Sequence, residues 1–152
     1  MTFYEFLVFI HIFSAILGMG PGFVMTFVVT SSNPSNMTEL RQSFAIRNKL
    51  HILTMVGGTL LLITGIWMGI LNTYWFSQGW YITSLFLFLV ALAFGPTLLK
   101  SRSKPLKKLL RDYRGEDIPV EYYQLSKRLF FVEHIENIIF LIIIVLMILK
   151  PF

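Results

Sequence analysis

Four apolar stretches, at about 3–29, 50–71, 80–99 and 129–149, dominate the chain. Each holds roughly 20 residues or more, the length a helix needs to cross about 30 Å of hydrocarbon at 1.5 Å per residue. A membrane barrel needs short strands of alternating polarity instead, and no such alternation is present. Composition agrees. Hydrophobic residues make up 55% of the 152 and charged residues only 14%, against about a quarter in a soluble domain. So few polar groups cannot cover a surface in water, and the solvent for most of it must be lipid. The expected fold is all-α: a single integral-membrane domain over 1–152, built as a four-helix transmembrane bundle. The first stretch has no basic region before it and no small-residue cleavage site after it, so it reads as a retained helix.

The loops predict the orientation. Arg41, Arg47 and Lys49 lie between the first and second spans, and nine further Lys and Arg residues lie between the third and fourth. Twelve of the 13 basic residues thus fall in two loops, 30–49 and 100–128. By the positive-inside rule both loops are cytoplasmic at the cell membrane and both termini face outward. The net charge of +5 therefore reflects topology, and nucleic acid is not an expected partner. Within 100–114, Leu106, Leu109, Leu110 and Tyr113 recur at helical spacing among Lys107, Lys108 and Arg111. This pattern predicts a short basic helix on the inner leaflet, held by anionic lipid. Residues 120–128 are expected to begin the fourth helix before it enters the bilayer.

Small residues predict where the helices touch, because close backbone approach supplies packing that lipid cannot. Ser14, Ala15, Gly18 and Gly22 share one face of the first helix. Thr54, Gly58, Gly65 and Gly69 share one face of the second, so these two helices are expected to pack together. Pro21 and the Gly95-Pro96 pair should disturb the first and third helices.

The polar residues inside the spans are the candidate functional groups, since such residues are costly in lipid and face the bundle interior. They are His11, His51 and His134, with a cluster of Glu133, Glu136 and Asn137 at the start of the fourth span. Glu133 and Glu136 are neighbours on a helix and are placed to share a proton. Arg47, Lys49 and Arg128 are expected near this cluster. Three readings fit. In the first, haem b is ligated by His11, or by His51 and His134 at matching depth, with small residues giving the flat ring room. In the second, a metal or proton path runs through the histidines and glutamates. In the third, these groups only tie helices together, as in a small transporter subunit or an assembly partner, and a homodimer is then possible. With no cysteine, thiolate chemistry is excluded. No G-x-S-x-G, phosphate loop or H-E-x-x-H is present. Whether the chain is an enzyme stays open.

The segments FLVFIHIFSAILGMGPGF (6–23), NKLHILTMVGGTLLLITGIWMGI (48–70), GWYITSLFLFLVALAFGP (79–96) and ENIIFLIIIVLMILKP (136–151) resemble a family of small bacterial integral-membrane proteins described as a predicted membrane domain of unknown function. More distantly the chain is similar to four-helix membrane protoporphyrinogen oxidases and to copper-resistance membrane domains. The oxidase likeness rests on His11 in the first helix and Gly79-Trp80 opening the third. It departs at Glu136-Asn137, where the pair is reversed, and at Ser84, where that family carries a lysine. This likeness implies the same architecture and a haem-linked role for His11.

Overall fold

The computed structural model describes residues 2–152. It is helical throughout: α1 (Phe3–Ser31), α2 (Met37–Leu71), a 3-10 turn (Thr73–Ser77), α3 (Gly79–Phe94), a π-helical turn (Gly95–Leu99), α4 (Lys100–Asp112) and α5 (Val120–Leu149). Four helical segments are long and apolar enough to cross a membrane, with α3, the π turn and α4 forming one of them. The all-α expectation and the four spans hold.

Two helix starts are set by local chemistry. Thr2 caps α1 by accepting from the Glu5 amide at 3.2 Å, while the Glu5 carboxylate accepts from the Thr2 amide at 2.8 Å. This reciprocal pair satisfies two amides that have no helical partner. Asn36 caps α2 in the same way, accepting from the Glu39 amide at 2.9 Å. Between them Asn33 takes a left-handed conformation, φ 39°, which turns the chain.

The boundaries differ from expectation at the basic end of the bundle. Residues 30–49 are not a loop, since α2 begins at Met37 and its 35 residues run on without a break. At 1.5 Å per residue it is about 52 Å long and outruns a hydrocarbon core by about 20 Å. The basic segment after the third span is likewise a helix continuous with it. The leucines expected on the leaflet surface are turned inward instead: Leu106 is 1% exposed, and it packs with Leu110, Met37, Leu40, Phe44, Tyr122 and Leu129 in a core of their own. Apolar side chains spaced by three and four along an otherwise polar helix seek protein when protein is at hand. Arg41 fastens the two extensions: its guanidinium donates to the carbonyls of Leu110 (2.8 Å) and Tyr113 (2.5 Å), groups left open at the end of α4. Residues 120–128 do begin α5 as expected.

α1 and α2 pack in direct backbone contact. A Cβ on Gly18 would lie 2.7 Å from the Gly58 amide nitrogen, and one on Gly57 would collide with the Leu17–Gly18 backbone. The expected pairing of these helices is therefore correct, with Gly57 added to the seam. Gly22 instead faces Asn137 and Phe140 of α5, and Gly69 lies beneath Tyr81 of α3, whose hydroxyl donates to the Gly65 carbonyl at 2.9 Å. Pro21 sits inside a helix that continues unbroken. At Gly95-Pro96 the helix does change, because proline has no amide to give and its ring crowds the preceding turn. The turn widens, and the Lys100 amide donates to the Gly95 carbonyl five residues back. At the opposite, aromatic end, Trp80 donates its amide to the Phe152 carbonyl at 2.9 Å, and the Lys150 ammonium lies 5.3 Å from the Trp80 ring centroid.

Gly57→Leu is expected to destabilise the bundle by about 1–3 kcal/mol through overpacking of the seam. Gly20→Leu, at a position with nothing within 4 Å of a Cβ, is expected to be near neutral. Thermal unfolding of the two variants in detergent, followed by size-exclusion fluorescence, checks the contrast.

Candidate functional site

The polar residues of the spans separate into three places. At the first, α1, α2 and α5 meet in a buried network. Glu133, 3% exposed, accepts from the Thr26 hydroxyl at 2.7 Å on one carboxylate oxygen. Its other oxygen accepts from Nη2 of Arg47, which is 5% exposed. One turn along α5, Asn137 donates to the Gly22 carbonyl at 3.3 Å. A charge in this position is tolerable only with its partner. Glu133 therefore pairs with Arg47 rather than sharing a proton with Glu136. Lys49 and Arg128, expected nearby, are exposed.

Beside this network lies a cavity of about 500 Å³. Arg47, His51, Glu133 and Glu136 line its polar part, and Phe88, Leu92 and Phe140 its apolar part. Gly18 and Gly58 also line it. Lys100 and Lys107, both exposed, stand where the lining meets solvent at the basic end. The lining also includes Met55 and Thr59 of α2 and Pro96 across from them, all exposed on the outer surface of the bundle. The cavity therefore opens sideways between α2 and the π turn as well as toward the basic end. Two residues of its lining have unused hydrogen-bonding capacity. Arg47 Nε is buried without a partner, and the half-buried Glu136 makes no hydrogen bond or ion pair with any described residue.

The second place holds His11, between α1 and α2. Its Nδ1 is 2.9 Å from the Thr64 hydroxyl, and its ring lies against Gly65. That hydroxyl also lies 2.8 Å from the Leu60 carbonyl. The third place is the surface of α5, where His134 is exposed and its Nδ1 donates to the Phe130 carbonyl at 2.6 Å. The fold thus brings Arg47, His51, Glu133 and Glu136 together, and leaves His11 and His134 apart from them and from each other. Among the described residues no three His, Asp or Glu form a group able to hold a metal ion.

Sequence reasoning found Glu133, Glu136, Asn137 and His51, but it missed Thr26 and gave Arg47 only a place nearby. Thr26 carries no signal, being one hydroxyl in an apolar run. Arg47 does carry one: Met37, Leu40, Phe44 and Arg47 recur at helical spacing, so the arginine continues a buried face.

Arg47→Met is expected to cost about 3–5 kcal/mol by stranding the Glu133 carboxylate. The double variant Arg47→Met/Glu133→Leu is expected to recover most of that loss. A double-mutant cycle on thermal stability in detergent measures the coupling, and additive effects would mean the two groups do not interact.

A family model described as Predicted integral membrane protein (DUF2269) matches residues 5–151. No curated protein and no solved structure matches the chain.

Proposed function

The chain belongs to this family of predicted integral membrane proteins, and we propose that it is a binding protein for an amphiphile with an anionic head. The observation that carries this reading is the cavity: about 500 Å³, apolar at Phe88, Leu92 and Phe140, and cationic at Lys100 and Lys107 where it meets solvent. Binding sites for small molecules are commonly of this size, mostly apolar with a few fixed polar groups. In this reading the body of the ligand lies among the aromatic and aliphatic side chains and its head lies toward the lysines. The basic end faces the cytoplasm, in keeping with the positive-inside rule. The exposed Arg102, Lys104, Lys108 and Arg111 of α4 then lie near anionic head groups of the inner leaflet.

A second reading is haem b, a particular amphiphile of this class. It is favoured by the place of His51, an imidazole on the wall of an apolar cavity whose lysines suit the two propionates. His51 would be its ligand from the cavity. His11, with one nitrogen engaged by Thr64, would serve only a separate haem site.

Native mass spectrometry of the purified chain is expected to find a co-purified amphiphile, and its retention should fall in Thr59→Trp, which fills the side opening, and in Lys100→Glu/Lys107→Glu. Absence of any bound amphiphile from the wild type would overturn the reading. For haem, a Soret band lost in His51→Ala and kept in His11→Ala is expected; no band in protein from haem-supplied cells would sink it. Reporters fused in the 113–119 turn and after Phe152 are expected to report the cytoplasmic and outer sides respectively, and the reverse result would overturn the orientation.

A further inference from the structure

We propose that the cavity selects a glycerophospholipid whose head carries an ammonium beside its phosphate, as ethanolamine does, taken sideways from the adjoining leaflet. The proposal rests on the amphiphile reading above and names the chemistry of its ligand. The side opening is the first support. Met55, Thr59 and Pro96 line the cavity and are also exposed on the surface that lipid covers. A ligand already in the bilayer can enter there without crossing water. A cavity of about 500 Å³ is small for a whole phospholipid. The same opening lets the acyl chains stay largely in the bilayer while the head is held inside.

The second support is the pair of unmatched groups. Glu133 takes Nη2 of Arg47 and leaves Nε, a buried nitrogen of this lining residue, without an acceptor. A phosphate in the cavity lies against this guanidinium, with His51 and Lys107 on the same lining to share the charge. Glu136 poses the opposite demand. It is a carboxylate on that lining with no donor of its own, and a purely anionic head would meet it as a like charge. A head with a phosphate and an ammonium satisfies both groups, the phosphate at Arg47 and the ammonium at Glu136. A carboxylate beside the anion site thus discriminates against anionic heads even though lysines attract them at the entrance.

The test uses the full chain in nanodiscs made from equal parts of phosphatidylethanolamine, phosphatidylglycerol and phosphatidylcholine, with the retained lipid read by native mass spectrometry after extraction. Wild type is expected to hold phosphatidylethanolamine about tenfold over phosphatidylglycerol, the size of one charge-assisted hydrogen bond. It should also prefer it over phosphatidylcholine, whose trimethylated head has the charge but no N–H to donate. Glu136→Gln, close in shape, is expected to keep lipid and lose the preference over phosphatidylglycerol. Lipid retained without preference among the three heads, or a preference that Glu136→Gln leaves unchanged, overturns this proposal and leaves the amphiphile reading standing. No retained lipid or other amphiphile at all overturns both. If Glu136→Gln does not fold, the wild-type comparison of the three heads decides alone.

Discussion

The contact between the backbones of α1 and α2 governs the rest of the bundle. Gly18 sits on Gly57 and Gly58 so closely that no Cβ fits on Gly18 or Gly57 without displacing backbone. Lipid tails are as apolar as leucine, so membrane helices gain by close packing rather than by escape from solvent. This seam uses that gain fully. It also removes α2 from competition for α3, which packs mainly on α5 through residues such as Phe88 and Phe140. The bundle is therefore two close pairs joined more loosely. Where the loose joint is closed by Tyr81 on Gly65 and Gly69, and by Leu92 and Phe88 near Gly58, it is solid. The cavity lies on the basic side of these contacts, before α4 closes on α2 through Leu106 and Leu110.

The network around Glu133 answers a different constraint. Hydrocarbon offers no water to a polar group, so each must find its partner in the protein. Thr26, Arg47, Glu133, Asn137 and the Gly22 carbonyl do this for one another across α1, α2 and α5. The interaction fixes α5 against the α1–α2 pair at the level where the cavity begins. The groups left out of that arrangement, Arg47 Nε and Glu136, belong to residues that line the cavity.

The four spans were legible because a lipid-facing helix declares itself by hydropathy alone. The α1–α2 pairing was legible from Gly18 and Gly58, small residues on helices otherwise filled with large ones. The basic-end extensions were not, because hydropathy over a window asks whether a helix suits lipid and says nothing of whether it suits protein. Met37, Leu40 and Phe44 keep a buried face within a polar segment, and Leu106 and Leu110 supply the other side of the same core. Those patterns are individually weak, and only their meeting in space gives them meaning. The three histidines were legible as a set, yet the fold disperses them. Sequence shows depth along each helix, while their separation depends on rotation about its axis, which packing of neighbouring helices sets.

The basic-end core has a consequence for the cavity. Were α4 lying flat on the leaflet, the third span would end near Leu99 and the cavity would stand open at its base. Instead the π turn carries the chain onward, and Leu106 and Leu110 anchor α4 against α2 and α5. Lys100, Ser103 and Lys107 are held on the lining as a result. Proline at position 96 thus does more than interrupt a helix. By widening one turn it reorients the segment that follows, with Lys100 and Lys107 brought to the cavity while Leu106 faces the core. The same turn leaves Gly95 facing open space on the cavity side. The widened turn in the third span, which a proline that cannot complete an α-helical turn accounts for, lies beside both the side opening and the cationic entrance.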